Sequence, residues 1–185
     1  SKSLGTNVNF RRVESVGPKV SKELIYAAIL AISLSISAML IYIWIRFEWQ
    51  FSVAAISALI HDVFLTIGIF SFLNLEVNLS IIAAILTIVG YSMNDTVVIF
   101  DRIRENLRKY DDLSIKEISN LSTNETLSRT LITSITTLLA LLAIFLFGGE
   151  VLKGFSFALI FGVLVGTYSS IFIATQILNF LNVNQ

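Results

Sequence analysis

Five apolar runs separated by short polar segments set the pattern of this chain. Leu24–Ile45 and Phe155–Leu181 contain no Asp, Glu, Lys or Arg. Phe51–Leu73 is interrupted at its middle by His61-Asp62, and Leu79–Phe100 carries Asn94-Asp95 in its last third. Thr130–Phe147 is shorter but follows a stretch with helical character. A hydrocarbon core about 30 Å thick requires roughly 20 apolar residues at 1.5 Å rise. The pattern therefore predicts spans at about 24–45, 51–73, 79–100, 128–147 and 155–181, with a loop at about 101–127.

The connections fix the expected topology. Arg46–Gln50, Asn74–Asn78 and Gly148–Gly154 are long enough only to reverse the chain between neighbouring helices. Asp101–Arg129 is longer and holds Arg102, Arg104, Arg108, Lys109, Lys116 and Arg129. An excess of basic residues places a loop on the cytoplasmic side, so the N-terminal segment is expected outside and the C-terminus inside. The basic residues of Ser1–Lys22 oppose this, but long extramembranous segments translocate despite their charge.

Within the loop, Asp101–Lys109 reads as a solvated extension of the third span. Ser114-x-x-Glu117 and Ser122-x-x-Glu125 each match a capping box. The first predicts a short interfacial helix and the second a start of the fourth span near Thr123. Val8–Val13 reads as a strand running into a Gly17-Pro18 turn, the remnant of an extramembranous α+β domain. The chain opens on Ser1 with no recognisable signal peptide, which reads as a fragment or a processed chain.

Composition sharpens the class. Hydrophobic residues make up 55% of the 185 and charged residues 14%, where soluble domains average about a quarter charged. Such a chain cannot cover itself with polar surface, and lipid is the solvent that suits it. Thirteen basic residues balance thirteen acidic ones, so net charge points to no nucleic-acid partner. With no cysteine and one histidine, neither a disulfide nor a metal centre is expected.

The candidate chemistry lies in the few polar residues inside the spans. Asp95 sits five positions before the cytoplasmic end of its span, about 7–8 Å deep along the helix. A central aspartate costs about 2.5–3.5 kcal/mol to insert, so it is expected to face protein or water and to bind or relay a proton. Arg129 enters the next span from the same side and is the expected charge partner. A carboxylate beside a guanidinium stays ionised; removal of the guanidinium lets desolvation favour the protonated form. Making and breaking this pair would load and unload a proton. The blander alternatives are a static buried pair, or an Arg129 that snorkels to lipid phosphates.

His61 and Asp62, with Asn94, form a possible secondary polar site. Neighbours on a helix point about 100° apart, so His61 and Asp62 need not touch each other, and a structural contact to adjacent helices is the favoured reading. Gly162 and Gly166 form a GxxxG pattern suited to close helix packing, and Thr133, Ser134, Thr136 and Thr137 add small hydroxyls to the fourth span. An aspartyl intramembrane protease would pair Asp62 with Asp95, but its Tyr-Asp and Gly-x-Gly-Asp contexts are missing. Gly90-Tyr91-Ser92-Met93 is not a rhomboid serine turn, and no phosphate-binding loop occurs. No enzyme is expected.

The segment Gly90-Tyr91-Ser92-Met93-Asn94-Asp95-Thr96-Val97-Val98-Ile99-Phe100-Asp101-Arg102 closely resembles a signature of the SecD/SecF protein-export family, on its SecF branch. Gly17-Pro18 before the first span, and Asn124–Thr130 before a Ser/Thr-rich one, are similar to two further motifs of that branch. The SecD branch normally has Asp-Ala-Asn-Val where this chain has Asn94-Asp95-Thr96-Val97. The resemblance implies helices two to six of a six-helix RND-like half in the bacterial inner membrane. It implies SecD as partner, association with the SecYEG channel and YidC, and a translocating polypeptide as cargo. It also implies a proton gradient in place of a cofactor, with Asp95 and Arg129 as coupling residues and Gly17, Pro18, Gly90, Asp101 and Arg102 as motif positions. An RND-type small-solute antiporter and a static membrane scaffold are the alternatives.

Overall fold

The computed structural model describes residues 18–75 and 78–181, so the expected strand at Val8–Val13 and the Gly17 turn lie outside the described residues. The apolar runs form helices α1 (Pro18–Arg46), α2 (Trp49–Phe72), α3 (Leu79–Lys109), α4 (Ile115–Phe147) and α5 (Glu150–Tyr168). A π-helical turn (Ser169–Ala174) then joins α5 to a last short helix, α6 (Thr175–Phe180). Among the described residues, five helices are long and apolar enough to cross a membrane, the last being the composite Glu150–Phe180. The chain is a multi-pass, all-α membrane protein.

The segment 101–127 is not a loop. α3 runs without a break through Phe100 to Lys109, and α4 starts at Ile115. The turn between them is short because Ser114 caps α4 in a complete capping box with Glu117. The Glu117 carboxylate accepts from the Ser114 backbone N–H at 2.9 Å and its hydroxyl at 2.7 Å, which holds that carboxyl below its ordinary value. With its helix already nucleated there, the chain has no need of the second box: Ser122 and Glu125 are interior residues of α4. The expected interfacial helix is simply the first turns of α4.

Packing follows from residue size. α3 is the central helix and meets α1, α2, α4, α5 and the π-helical turn. Its tightest neighbour is α5, because Gly162 and Gly166 let the backbones approach. A Cβ on Gly162 would collide with the Ile88 side chain, and one on Gly166 would stand 3.0 Å from the Ser92 Cβ. Ile88 and Ser92 are one turn apart on α3, so the GxxxG face docks on a matching ridge. At one end of the bundle Phe51 stacks edge-on against Phe100 at 5.1 Å, and at the other Phe70 meets Phe157 at 5.9 Å. α1 and α4 form the outer faces and present Ile29, Trp44, Ile45, Ile132, Leu139 and Phe147 outward, as lipid requires.

The interhelical ion pairs among the described residues lie at the end where α1 and α3 finish and α4 starts. Arg46 pairs with Asp101 at 2.9 Å, and Arg104 donates to the Arg46 carbonyl at 3.0 Å, capping the last turn of α1. Arg102 donates to Glu125 of α4 at 2.6 Å and to Glu105 at 2.7 Å. Asn106 adds bonds to Ser122 at 3.0 Å and to Glu125 at 2.8 Å. The Arg102 bond, then that of Asn106, holds the Glu125 carboxyl down at about 2.

Two stability outcomes are expected in detergent. Gly162→Ala should destabilise by about 1–3 kcal/mol through overpacking, whereas Gly90→Ala should not, since nothing lies within 4 Å of a Cβ there. Thermal melts of both variants measure this. Glu125→Gln should lower the melting temperature most above pH ~5, where the wild-type carboxylate is charged in both folded and unfolded chains. Because the folded value is depressed from 4.5 to about 2, the difference should narrow as pH falls through that interval; a difference independent of pH would mean the Arg102–Glu125 bond contributes nothing through charge.

Candidate functional site

Two carboxylates lie inside the bundle, and their environments differ. Asp95 sits on the buried face of α3, 4% exposed. Its Oδ2 atom is buried and has no hydrogen-bond partner. An ionised carboxylate left so in hydrocarbon is costly, because the water it lost is not replaced. Asp95 is accommodated as a neutral acid, or as a charged one when a cation closes on it.

Arg129 is the cation in range. It lies near the middle of α4 on an exposed position, with its charge close enough to act on the Asp95 carboxylate. No ion pair joins the two among the described salt bridges, so the expected partners are neighbours with the contact open. Thr130, the next residue, also has a buried hydroxyl without a partner. The polar surface between α3 and α4 at this level is thus incompletely satisfied; at the charged end the same helices are joined by Arg102–Glu125 and Asn106–Ser122, although Asn106 Oδ1 there also has no partner.

Asp62 is the opposite case. It is 0% exposed, and its Oδ2 accepts from the Ser92 hydroxyl at 2.6 Å and the Ser169 hydroxyl at 2.7 Å. His61 Nδ1 lies 3.1 Å from its Oδ1. The neighbours His61 and Asp62 do meet, although helix geometry did not require it: the ring folds back along the helix while the carboxylate points inward. Around them, the Ser170 and Thr96 hydroxyls are 2.8 Å apart, Ser170 donates to the Ser92 carbonyl at 3.1 Å, and Thr66 donates to the Asp62 carbonyl at 2.8 Å. Three elements, α2, α3 and the π-helical turn, meet on this one cluster.

At the π-helical turn the Gly166 carbonyl accepts from the Ser169 hydroxyl at 3.1 Å and the Ser170 hydroxyl at 2.9 Å. Such bonds alone do not widen a helix, since Thr66, Thr87 and Thr126 make the same four-residue contact within regular α-helix. Here two hydroxyls share one carbonyl, and both also reach neighbouring helices. The widening aims Ser169 at Asp62 and Ser170 at Thr96. Sequence reading took Phe155–Leu181 as one regular helix and missed Ser92, Ser169 and Ser170. Ser170 continues the four-residue rhythm of Gly162 and Gly166, which was the available signal.

The remaining predicted positions divide. Asn94 and Gly90 are exposed on α3. Asp101 and Arg102 belong to the clamps at the charged end, binding α3 to α1 and α4 respectively. Pro18 is the first residue of α1. Among the described residues, no group of three or more His, Asp or Glu gathers in metal-binding fashion.

Comparison with known proteins places this arrangement. The family description "Protein export membrane protein SecD/SecF, C-terminal" matches residues 1–184. The protein translocase subunit SecF of Cereibacter sphaeroides is 52% identical over 184 residues, covering 100% of this chain and 57% of that protein. SecF of Rickettsia bellii is 57% identical over 172 residues, covering 93% of this chain and 57% of its own. The chain thus spans a little over half the length of these relatives. In structure it is similar to SecDF, a translocon-associated membrane protein from Thermus, with a TM-score of 0.84 at 47% identity, over 88% of this chain and 22% of that one. SecDF in a super-membrane-facing form gives 0.81 at 43% identity, over 90% and 22%. By motif, sequence and fold, the chain belongs to the SecD/SecF family of protein export membrane proteins.

Proposed function

We propose that this chain is the membrane domain of a SecF-type subunit that pairs with a SecD-type subunit and uses the proton motive force to promote late translocation of secretory polypeptides. The observation that carries the reading is Asp95: a buried carboxylate with an unpartnered oxygen, beside an arginine on the next helix with which it has not paired. A structural ion pair would be closed. An open one has two states, and the protonation of Asp95 differs between them. With Arg129 away, desolvation favours the neutral acid; with Arg129 in contact, the carboxylate is stabilised and its proton leaves. If the two states face opposite sides of the membrane, each cycle carries a proton across.

Two features support a mechanical use of that cycle. The charged-end clamps keep α1, α3 and α4 together, so a change at Asp95 moves the helices as a body rather than unravelling them. The relatives named SecF, and solved proteins in which the matching domain is part of a SecDF chain, supply the context: a second half against which this one rocks. One charge crossing 100 mV releases about 2.3 kcal/mol, enough to bias a two-state motion about fifty-fold. The charged end faces the cytoplasm of a bacterial inner membrane in this reading, with SecYEG and YidC as neighbours. The chain performs no covalent chemistry.

Inverted vesicles carrying the full-length subunit with SecD test the reading. Asp95→Asn should abolish the gradient-stimulated part of secretory-protein translocation and leave ATP-driven initiation intact. Unchanged stimulation at normal protein levels would remove Asp95 from the proton path. Exchanging the two groups, with Asp95→Arg and Arg129→Asp together, should leave translocation as defective as Asp95→Asn, because a relay depends on which helix carries the acid; recovery to wild-type rate would mark a static pair.

A further inference from the structure

We propose that the pocket between the ends of α1 and α3 binds the phosphate of an anionic phospholipid, with Arg46, Arg104, Arg108 and Lys109 as its cationic wall. The inference needs the membrane-spanning bundle but no proton role for Asp95.

The pocket has a volume of about 470 Å³, within the range of about 300–1,000 Å³ usual for ligand sites. Asp101 and Glu105 complete its lining, and both acids are already engaged. Arg46 holds Asp101 at 2.9 Å, and Arg102 holds Glu105 at 2.7 Å. Arg104 uses one N–H on the Arg46 carbonyl, which leaves the rest of its five-donor fork free. Among the described residues no carboxylate pairs with Arg108 or Lys109. Lys109 rests over the Tyr110 ring at 5.0 Å and acts on Glu125 only through space. Basic residues that merely anchor a helix end diverge into water, whereas these converge on one concavity with donors to spare. The complementary ligand is an anion with several acceptor oxygens.

Depth identifies the anion. The apolar run of α3 ends at Phe100, so Arg104 stands about 6 Å and Arg108 about 12 Å beyond it along the helix. The headgroup layer is about 5–8 Å thick on each side of the hydrocarbon. Side chains on a helix lean toward its N-terminus, and that direction on α3 is back toward the bilayer. Arg104 lies within the phosphate layer, and Arg108 reaches down to it. A phosphodiester presents two unesterified oxygens to such forks, a geometry that guanidinium matches in pairs.

The wall below the pocket is apolar and open to lipid. On α1, immediately before Arg46, Trp44 is 63% and Ile45 82% exposed, and Trp49 at the start of α2 is 55% exposed. Tryptophans collect at the headgroup level because one face of the ring is apolar and the indole N–H is polar. A ligand with a phosphate and acyl chains meets both surfaces, while a free phosphate meets only the first. A headgroup amine would add a further cation to a wall that is already in positive excess. A lipid of the phosphatidylglycerol type, negative overall, therefore suits the site better than a zwitterionic one. Bound there, its phosphate bridges α1 to α3 beside the Arg46–Asp101 pair.

The test uses the full-length subunit with its SecD partner in phosphatidylcholine vesicles containing a small fraction of phosphatidylglycerol with a photoreactive acyl chain. Mass spectrometry of the digested protein measures labelling of the peptide that carries Trp44 and Ile45. Arg108→Gln should cut that yield about fivefold, the equivalent of about 1 kcal/mol for one basic residue near an anionic surface. Lys116→Gln removes the same charge from the start of α4, outside the pocket, and should leave the yield nearly unchanged. Phosphatidylcholine with the same photoreactive chain should label the peptide several times less, and excess inorganic phosphate should not compete. Equal losses in Arg108→Gln and Lys116→Gln, or equal labelling by the two lipids, would overturn the proposal. Competition by inorganic phosphate would assign the pocket to a free anion instead. Labelling seen only when SecD is left out would assign it to an acidic partner surface, and either result overturns the lipid site. If Arg108→Gln fails to insert, Lys109→Gln decides by the same comparison. Loss of gradient-driven export in Asp95→Asn, or its persistence, changes none of these yields, so the two proposals fail separately.

Discussion

A carboxylate inside hydrocarbon must be surrounded by donors or surrender its charge, and the rest of this structure is arranged around that constraint. The bundle answers it in two ways a single helical turn apart. Asp62 is enclosed by Ser92, Ser169 and His61, while Asp95 keeps an oxygen with no partner. One carboxylate has its oxygens bonded and the other leaves one open. Neither arrangement follows from the aspartates themselves, which are the same side chain; it follows from which helices come close enough to supply donors.

Close approach is in turn a matter of residue size. Gly162 and Gly166 let α5 settle on Ile88 and Ser92 of α3, and only at that separation can the turn after α5 reach α2. Were Gly166 larger, Ser169 would be carried away from Asp62, and a fully buried carboxylate would lose its donors. Packing and electrostatics are therefore one constraint here. In lipid no hydrophobic gain drives helices together, so small residues and interhelical hydrogen bonds provide the association. The cluster at Asp62 supplies both at one place.

The five spans were legible because their signal is composition over some twenty residues, which local context cannot override. Asp95 and Arg129 stood out in the sequence as charges in adjoining spans, but an open contact and a closed one leave the same trace there. Within 101–127 only the short turn between Lys109 and Ile115 is not helical; the first turns of α4 were misread as loop because polar residues in water-exposed helical extensions look like loop residues. Ser114 with Glu117 was the correct start, and the equally good box at Ser122 was a false one; two identical caps differ only in which helix has already begun. The π-helical turn was invisible. Ser169 and Ser170 lie in an apolar run whose hydropathy is indistinguishable from regular α-helix, and their effect depends on the Gly166 carbonyl and on an acid more than a hundred residues away.

The distribution of rigid and loose contacts limits how this domain can move. Its charged end is joined by Arg46–Asp101, Arg102–Glu125 and Asn106–Ser122. The two ion pairs are partly exposed and screened by solvent, so they favour one register of α1, α3 and α4 without forbidding another. A local register change is least opposed in an element outside the clamp. The last span is such an element, since none of the clamp bonds involves it, and it carries the one departure from regular helix among the spans described. A π-helical turn is a stored residue: it can be given up without unfolding the backbone on either side. Helices clamped at one end and a last span with a register to spare are what a device needs if it is to turn the arrival of a proton into displacement.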